Sequence, residues 1–177
     1  MKGDHKRAVE MLDLANREVP VTKYNDPRSL SHMVYGYMVS GQEQKALQLA
    51  AQLKKGIFEE YDYYTSLSPE EQKYLGKQLR TKPFEYSLIV GAVANGYKKL
   101  GKNDQAYSYL VNSIDPLDKR FNTFIGQLKE MGKDKAYREA ENVQKITPFY
   151  QYIFEIMKPY DTTYASEKMN QITTQVM

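Results

Sequence analysis

Apolar residues recur along this chain at three- and four-residue steps, the spacing of an amphipathic helix. Ala8, Met11, Leu12 and Ala15 open the pattern, and Pro20 stops it. Asn25, Asp26 and Pro27 form a start signal, because Asp26 can cap a helix and Pro27 suits its first turn. A helix is predicted over 28–40, Gly41 breaks it, and a longer one is predicted over 42–64 with Ala46, Leu47, Leu49, Ala50 and Leu53 inside. Ser68, Pro69 and Glu71 spell a second start with a capping box. That helix should be short and end before Pro83, since proline lacks an amide hydrogen and disfavours the helical conformation of its predecessor. Further helices are predicted over 84–100, 103–112, 117–131, 134–145 and 149–157, with a weak tail from 165 and Gly132 as a further breaker. No run alternates as a strand does. The fold class is all-α, with short loops joining antiparallel neighbours.

A pattern repeats inside this helical run. Gly3-Asp-His-Lys-Arg-Ala8 aligns with Gly41-Gln-Glu-Gln-Lys-Ala46 and with Gly101-Lys-Asn-Asp-Gln-Ala106. Glycine turns the chain at positive φ, polar residues coat the next first turn, and alanine allows two helices to cross closely. Tyr37 and Tyr97 each stand four residues before the glycine, and Leu12, Ala50 and Leu110 four beyond the alanine. The pattern resembles the tetratricopeptide repeat, a helix pair that stacks into a right-handed superhelix. Departures exist: Leu53 and Ser113 fill a small-residue position, and Phe58 and Asp118 fill that of the closing proline, which Pro20 matches. The glycines are 38 and 60 residues apart, against about 34 in that family. The chain then divides into the second helix of a truncated repeat (1–20), a repeat (27–67), an insertion (68–82), a second repeat (83–115) and C-terminal helices (116–177). Because the first match begins in mid-pair, the Ala8, Leu12 and Ala15 face should lack its usual partner, and the chain is expected to be a piece of a longer protein.

The stretch from Gln42 to Leu67, above all Ile57-Phe-Glu-Glu-Tyr-Asp-Tyr-Tyr-Thr-Ser-Leu67, taken with Phe84 to Asp115, is similar to the C-terminal soluble region of DUF2723 proteins. These are large multi-spanning membrane proteins of Bacteroidetes, related to protein O-mannosyltransferases. The resemblance implies an accessory domain at the periplasmic face of the inner membrane, with a cytoplasmic placement left open. It implies that any glycosyl transfer belongs to the transmembrane part of a parent protein and that this chain is not itself an enzyme.

Composition narrows the chemistry. The chain has 177 residues, 41% hydrophobic and 27% charged, with 16 Tyr, no Trp and no Cys. A chain of this size buries roughly 70% of its unfolded surface. Absence of Cys excludes disulfides, thiolate metal sites and cysteine nucleophiles. Only His5 and His32 are present, which excludes a histidine-rich metal site, and no cofactor is expected. A net charge of +3 is too small to argue for nucleic acid. No signal peptide follows Met1, and the longest mainly apolar stretch, near 86–97, falls short of the roughly 20 residues a bilayer requires.

Several constellations invite chemistry and read more simply as structure. Gly96 to Asn103 nearly spells a phosphate loop, but Asn103 replaces the magnesium-binding hydroxyl and a helix precedes Gly101. Glu59 with Glu60, and Glu70 with Glu71, are adjacent on helices and point apart, as general acids do not. Lys73, Lys77 and Arg80, with Lys82 beyond and Tyr74, Phe84 and Tyr86 among them, read as a solvated basic face. Phe58, Tyr61, Tyr63 and Tyr64 crowd one helix end. They either cap the core or form a recognition patch, the sharper reading naming Phe58, Tyr61 and Tyr64. Phe149, Tyr150, Tyr152, Phe154 and Tyr160 pose the same question.

Tetratricopeptide arrays hold extended peptides on a concave face built from the first helix of each pair. Carried over, this implies Ser31, Tyr35 and Met38 from one repeat and Gly91, Asn95, Lys98 and Lys99 from the other. Asn95 stands where the family often keeps a backbone-gripping asparagine. Ser31 and Gly91 replace basic residues of the carboxylate clamp, so a terminal EEVD-type carboxylate is not the expected ligand. The expected function is a protein-interaction or scaffolding module whose partner is a protein or peptide segment, neutral or weakly acidic, or the membrane part of its own parent. Binding of glycan or acceptor substrate by tyrosines, or a structural spacer, are the alternatives.

Overall fold

The computed structural model describes residues 4–18, 26–130 and 133–176, with side chains at 69, 73, 75, 76, 127–143 and 175–176 outside the description. The expectations at Gly3, Pro20, Met131 and Gly132, and for the Lys73 side chain, fall outside these residues. Among the described residues the fold is all-helical, with no strand. Eight helices follow one another among the described residues: α1 (His5–Glu18), α2 (Pro27–Val39), α3 (Glu43–Ser66), α4 (Pro69–Lys99), α5 (Asn103–Asn112), α6 (Asp115–Glu130), α7 (Lys133–Met157) and α8 (Thr162–Val176).

Local signals set most boundaries. Asp26 accepts from the amides of Arg28 and Ser29 at the start of α2, and Ser68 and Glu71 complete a reciprocal capping box at α4. Gly41 and Gly101 have φ of +79° and +73°. Both close a helix in one pattern: Gln42 N donates to Tyr37 O and Gly41 N to Met38 O, as Lys102 N does to Tyr97 O and Gly101 N to Lys98 O. This is the Schellman arrangement, which satisfies the last helix carbonyls.

Two expected breaks do not occur. Pro83 lies inside α4 and Pro148 inside α7, so each expected pair of helices is one continuous helix. An interior proline costs a helix about 3 kcal/mol. Burial of a large side chain returns about 1.5–3 kcal/mol, and such side chains flank both prolines. Leu79, Tyr86 and Ile89 are buried around the first, and Ile146, Phe149, Tyr150 and Ile153 around the second. Tertiary packing overrides the local rule.

Helices α2, α4 and α7 form a row in which α2 packs on α4 and α4 on α7. Arg28 meets Phe84, and Met38 meets Gly96, so α2 and α4 run parallel. Phe84 meets Tyr152, and Gly91 meets Ile156, so α7 continues the same direction. Helix α3 packs antiparallel on α4, through Glu43 with Tyr97 at one end and Glu60 with Lys82 at the other. Helix α6 packs on α7.

Ala46 and Ala106 are fully buried, as a close crossing requires. Ala8 is exposed, and α1 buries no residue completely. The expected equivalence of three alanines therefore holds for two. Leu12 of α1, four residues beyond Ala8, is what packs over Gly36 of α2.

A polar device ties the helices together three times. Asp13 on α1 accepts from Tyr37 of α2 at 2.9 Å and Lys45 of α3 at 2.8 Å. Glu43 on α3 accepts from Tyr97 of α4 at 2.9 Å and from Lys102, just before α5, at 2.7 Å. Asp118 on α6 accepts from Tyr150 of α7 at 2.8 Å and Lys168 of α8 at 2.7 Å. The third clamp marks α7 and α8 as a further hairpin. Its turn runs through Lys158, Pro159 and Tyr160 without glycine, so the glycine–alanine spacing could not find it.

Candidate interaction surface

The row of α2, α4 and α7 decides which side chains can meet a partner. At 100° per residue, Lys82, Tyr86, Ile89, Val93 and Tyr97 share one face of α4, and Arg80, Phe84, Leu88, Gly91, Asn95 and Lys98 share the opposite one. The first set turns toward α3, as the bonds of Lys82 to Glu60 and Tyr97 to Glu43 establish. Of the second set, Arg80, Phe84, Asn95 and Lys98 are exposed on the outer side of the row, Leu88 is half-buried, and Gly91 is covered by α7.

Of the residues expected to line a peptide groove, Asn95, Lys98 and Lys99 are exposed and Tyr35 is half-buried. The other three are spent on structure. Met38 is fully buried against Gly96, and the Ser31 hydroxyl is buried and donates to Arg28 O at 2.7 Å. Gly91 is buried beneath Ile156, whose Cδ1 would lie 3.4 Å from a Cβ at that position.

The recognition patch expected at Phe58, Tyr61 and Tyr64 resolves differently. Phe58 and Tyr61 belong to the core, where Phe58 stacks on Phe149 at 5.8 Å and Tyr61 meets the Phe149 edge at 5.2 Å. Arg120 covers the other side of Phe58, 3.9 Å from its centroid, and forks onto both Asp62 oxygens. Tyr64 is half-buried beside exposed Tyr63. Phe58 and Tyr61 are thus buried, and of the three rings only Tyr64 is partly exposed.

Lys82 corrects a second expectation. It is not part of a solvated basic face: its side chain is 5% exposed and pairs with Glu60 and, at 2.9 Å, with Glu85. Burial alone would lower the Lys82 pKa, but the bonds to the two carboxylates outweigh it and raise it above the usual lysine range. Glu60 is thereby engaged, Glu59 lies 3.5 Å from Lys55, and Glu71 serves the capping box.

Perturbed ionisations fall at helix caps, in the clamps and in the core. Burial, with the Asp13 carboxylate beside it, pushes the Tyr37 hydroxyl up to about 12, and burial with Glu43 does the same to Tyr97. Hydrogen bonds from Lys45 and Tyr37 hold Asp13 below its ordinary range, and those from Lys102 and Tyr97 do so for Glu43. Burial raises the hydroxyls of Tyr61 and Tyr86. Among the described residues no group of three or more His, Asp or Glu side chains is placed to hold a metal ion. None of the helices searched among those residues is long and apolar enough to cross a membrane.

Three residues that sequence reasoning did not place on this surface belong to it. Arg28 lies with its guanidinium carbon 6.0 Å from the Phe84 centroid, and Phe84 meets Tyr152 edge-on at 5.9 Å. Phe84 precedes Leu88, Gly91 and Asn95 at helical steps, a signal visible once 84 is known to lie within α4.

No protein-family model matches the chain, no curated protein matches it, and no solved structure matches it.

Proposed function

We propose that this chain is a non-catalytic protein-interaction module of stacked, tetratricopeptide-like helix pairs, and that a protein or peptide segment binds along the outer face of α2, α4 and α7. The observation that carries the proposal is the composition of that face. Tyr35 is half-buried and Asn95, Lys98 and Lys99 are exposed on helices whose other sides are locked into the core. Tyr37, Tyr97 and Lys82, by contrast, are engaged in pairs that join helices. A rigid scaffold bearing exposed, chemically mixed side chains suits recognition.

In this proposal the module is the soluble C-terminal region of a multi-spanning glycosyltransferase-like membrane protein, held at the periplasmic face. Its support is the likeness of 42–67 and 84–115 to DUF2723 proteins.

Random peptides displayed on phage and selected on the immobilised chain test the module. The expected result is a set of enriched peptides whose binding falls about tenfold in a Tyr35→Ala, Asn95→Ala double variant. Enriched peptides indifferent to that double variant would remove this face from consideration. Several apolar stretches of about 20 residues in the reading frame ahead of Met1 are expected from the membrane context, and a frame without them ends it.

A further inference from the structure

Phe84 is 37% and Tyr152 42% exposed, although the same two helices bury Tyr86, Phe149, Tyr150 and Phe154 almost completely. These two rings touch each other on the outer face, with Arg28 beside Phe84. Cations continue from there along the helix that carries Phe84. Arg80 is one turn before it, and Lys98 and Lys99 are about four turns beyond. Arg28, Arg80, Lys98 and Lys99 form no ion pair among the described residues, although Asp26 lies near Arg28 and Asp104 beside Lys98, and the carboxylates next to the two rings are occupied. Glu85 pairs with Lys82 and accepts from Thr81, and Glu155 pairs with Lys158. The face therefore carries an excess of positive charge around an exposed aromatic pair.

We infer that the partner is an acidic peptide segment with an aromatic or large apolar side chain, seated against Phe84 and Tyr152 and flanked by carboxylates on Arg28 and Arg80 at one side and Lys98 and Lys99 at the other. Covering these cations with a neutral segment would desolvate them without return, whereas carboxylates supply charge-assisted hydrogen bonds. A planar ring or a branched apolar side chain completes the edge-on pair. The distance suits a short segment. From Phe84 to Lys98 the helix rises about 21 Å at 1.5 Å per residue, a span of about six extended residues. The inference rests on the interaction-module proposal and names the chemistry of its partner.

Fluorescence anisotropy with three labelled peptides tests it: four repeats of Glu-Glu-Phe, of Lys-Lys-Phe, and of Glu-Glu-Ser. The Glu-Glu-Phe peptide is expected to bind at least about tenfold more tightly than either other peptide, and more weakly as salt is added. Its affinity should fall about tenfold in Arg28→Glu and, separately, in Phe84→Ala and Tyr152→Ser. Lys119→Glu, a charge reversal at an exposed position of α6, should leave it unchanged. Circular dichroism confirms that each variant is folded, and two independent ring variants guard against loss of one. Equal binding of the acidic and basic peptides, indifference to both ring variants, or an equal loss in Lys119→Glu overturns the inference. Phage selection separates the two levels. Enriched peptides that depend on Tyr35 and Asn95 but carry no acidic bias sink this inference and leave the interaction module standing, whereas peptides independent of the face sink both.

Discussion

Gly96 of α4 and Met38 of α2 approach so closely that a Cβ on Gly96 would lie 2.5 Å from the Met38 Cβ. No rotamer change moves a Cβ, so the two backbones themselves would have to separate. Gly96→Ala is therefore expected to lower stability by about 1–3 kcal/mol, the usual cost of overpacking a core. Gly91, five residues earlier in the same helix, meets only the Ile156 Cδ1, at 3.4 Å. That contact is ordinary, and Gly91→Ala should gain up to about 1 kcal/mol from helix propensity. Urea denaturation of both variants checks the contrast; equal effects would mean that α2 and α4 do not cross at Gly96.

The Tyr–carboxylate–Lys clamps predict stability at both ends of the pH scale. Asp13 and Glu43 have lowered pKa values in the fold, from hydrogen bonds to Lys45 and Tyr37 and to Lys102 and Tyr97. Their contribution is complete above the ordinary carboxylate range and is lost as pH falls through the lowered values. Tyr37 and Tyr97 shift the other way, to about 12. Their contribution is complete below the ordinary tyrosine value of about 10 and is lost as pH rises through about 12. Thermal melts of Glu43→Gln should lose part of the acid-side dependence, and melts of Tyr97→Phe part of the alkaline-side dependence. Unchanged pH profiles would show that the clamps are not populated.

Features written into neighbouring residues were legible in the sequence, and features made by distant ones were not. Asp26, the Ser68–Glu71 box, Gly41 and Gly101 act within one turn of chain, and each appears where it was expected. Pro83 and Pro148 are equally local signals, yet buried side chains on both sides of each keep the helix whole. Lys82 looks like one more cation in a basic stripe until α3 brings Glu60 to it. For Phe58 and Tyr61 the sequence left core and recognition patch both open; the core is closed over them by Phe149, some ninety residues later. On the outer face the sequence yielded Tyr35, Asn95 and the two lysines but did not bring Arg28, Phe84 and Tyr152 together, because their adjacency exists only once three helices lie side by side.

Pro148 gives a direct test of that override. It removes one hydrogen bond from α7 and is itself only half-buried. Pro148→Ala should restore the bond with little loss of packing and raise stability by about 1–2 kcal/mol, less than the full helix-interior penalty of about 3 kcal/mol because some ring contact is lost. A lowered melting temperature would mean that α7 needs the proline, as a helix shaped around the core would.

The Lys82 triad tests whether buried charge supports this fold or merely survives in it. The ammonium is almost fully enclosed, Glu85 is 13% exposed, and Glu60 is 43% exposed. Lys82→Met keeps most of the volume but strands the Glu85 carboxylate. Breaking a buried pair costs about 3–5 kcal/mol, and the partial exposure of Glu60 brings the expected loss to about 2 kcal/mol. Adding Glu85→Gln removes the stranded charge and should recover about half of that loss, since a neutral amide costs less to bury than an unpaired carboxylate. Urea melts of the single and double variants read the difference. A double variant less stable than Lys82→Met would show that the carboxylate finds another cation, and that Lys82 is not what holds α3 to α4 beside Pro83.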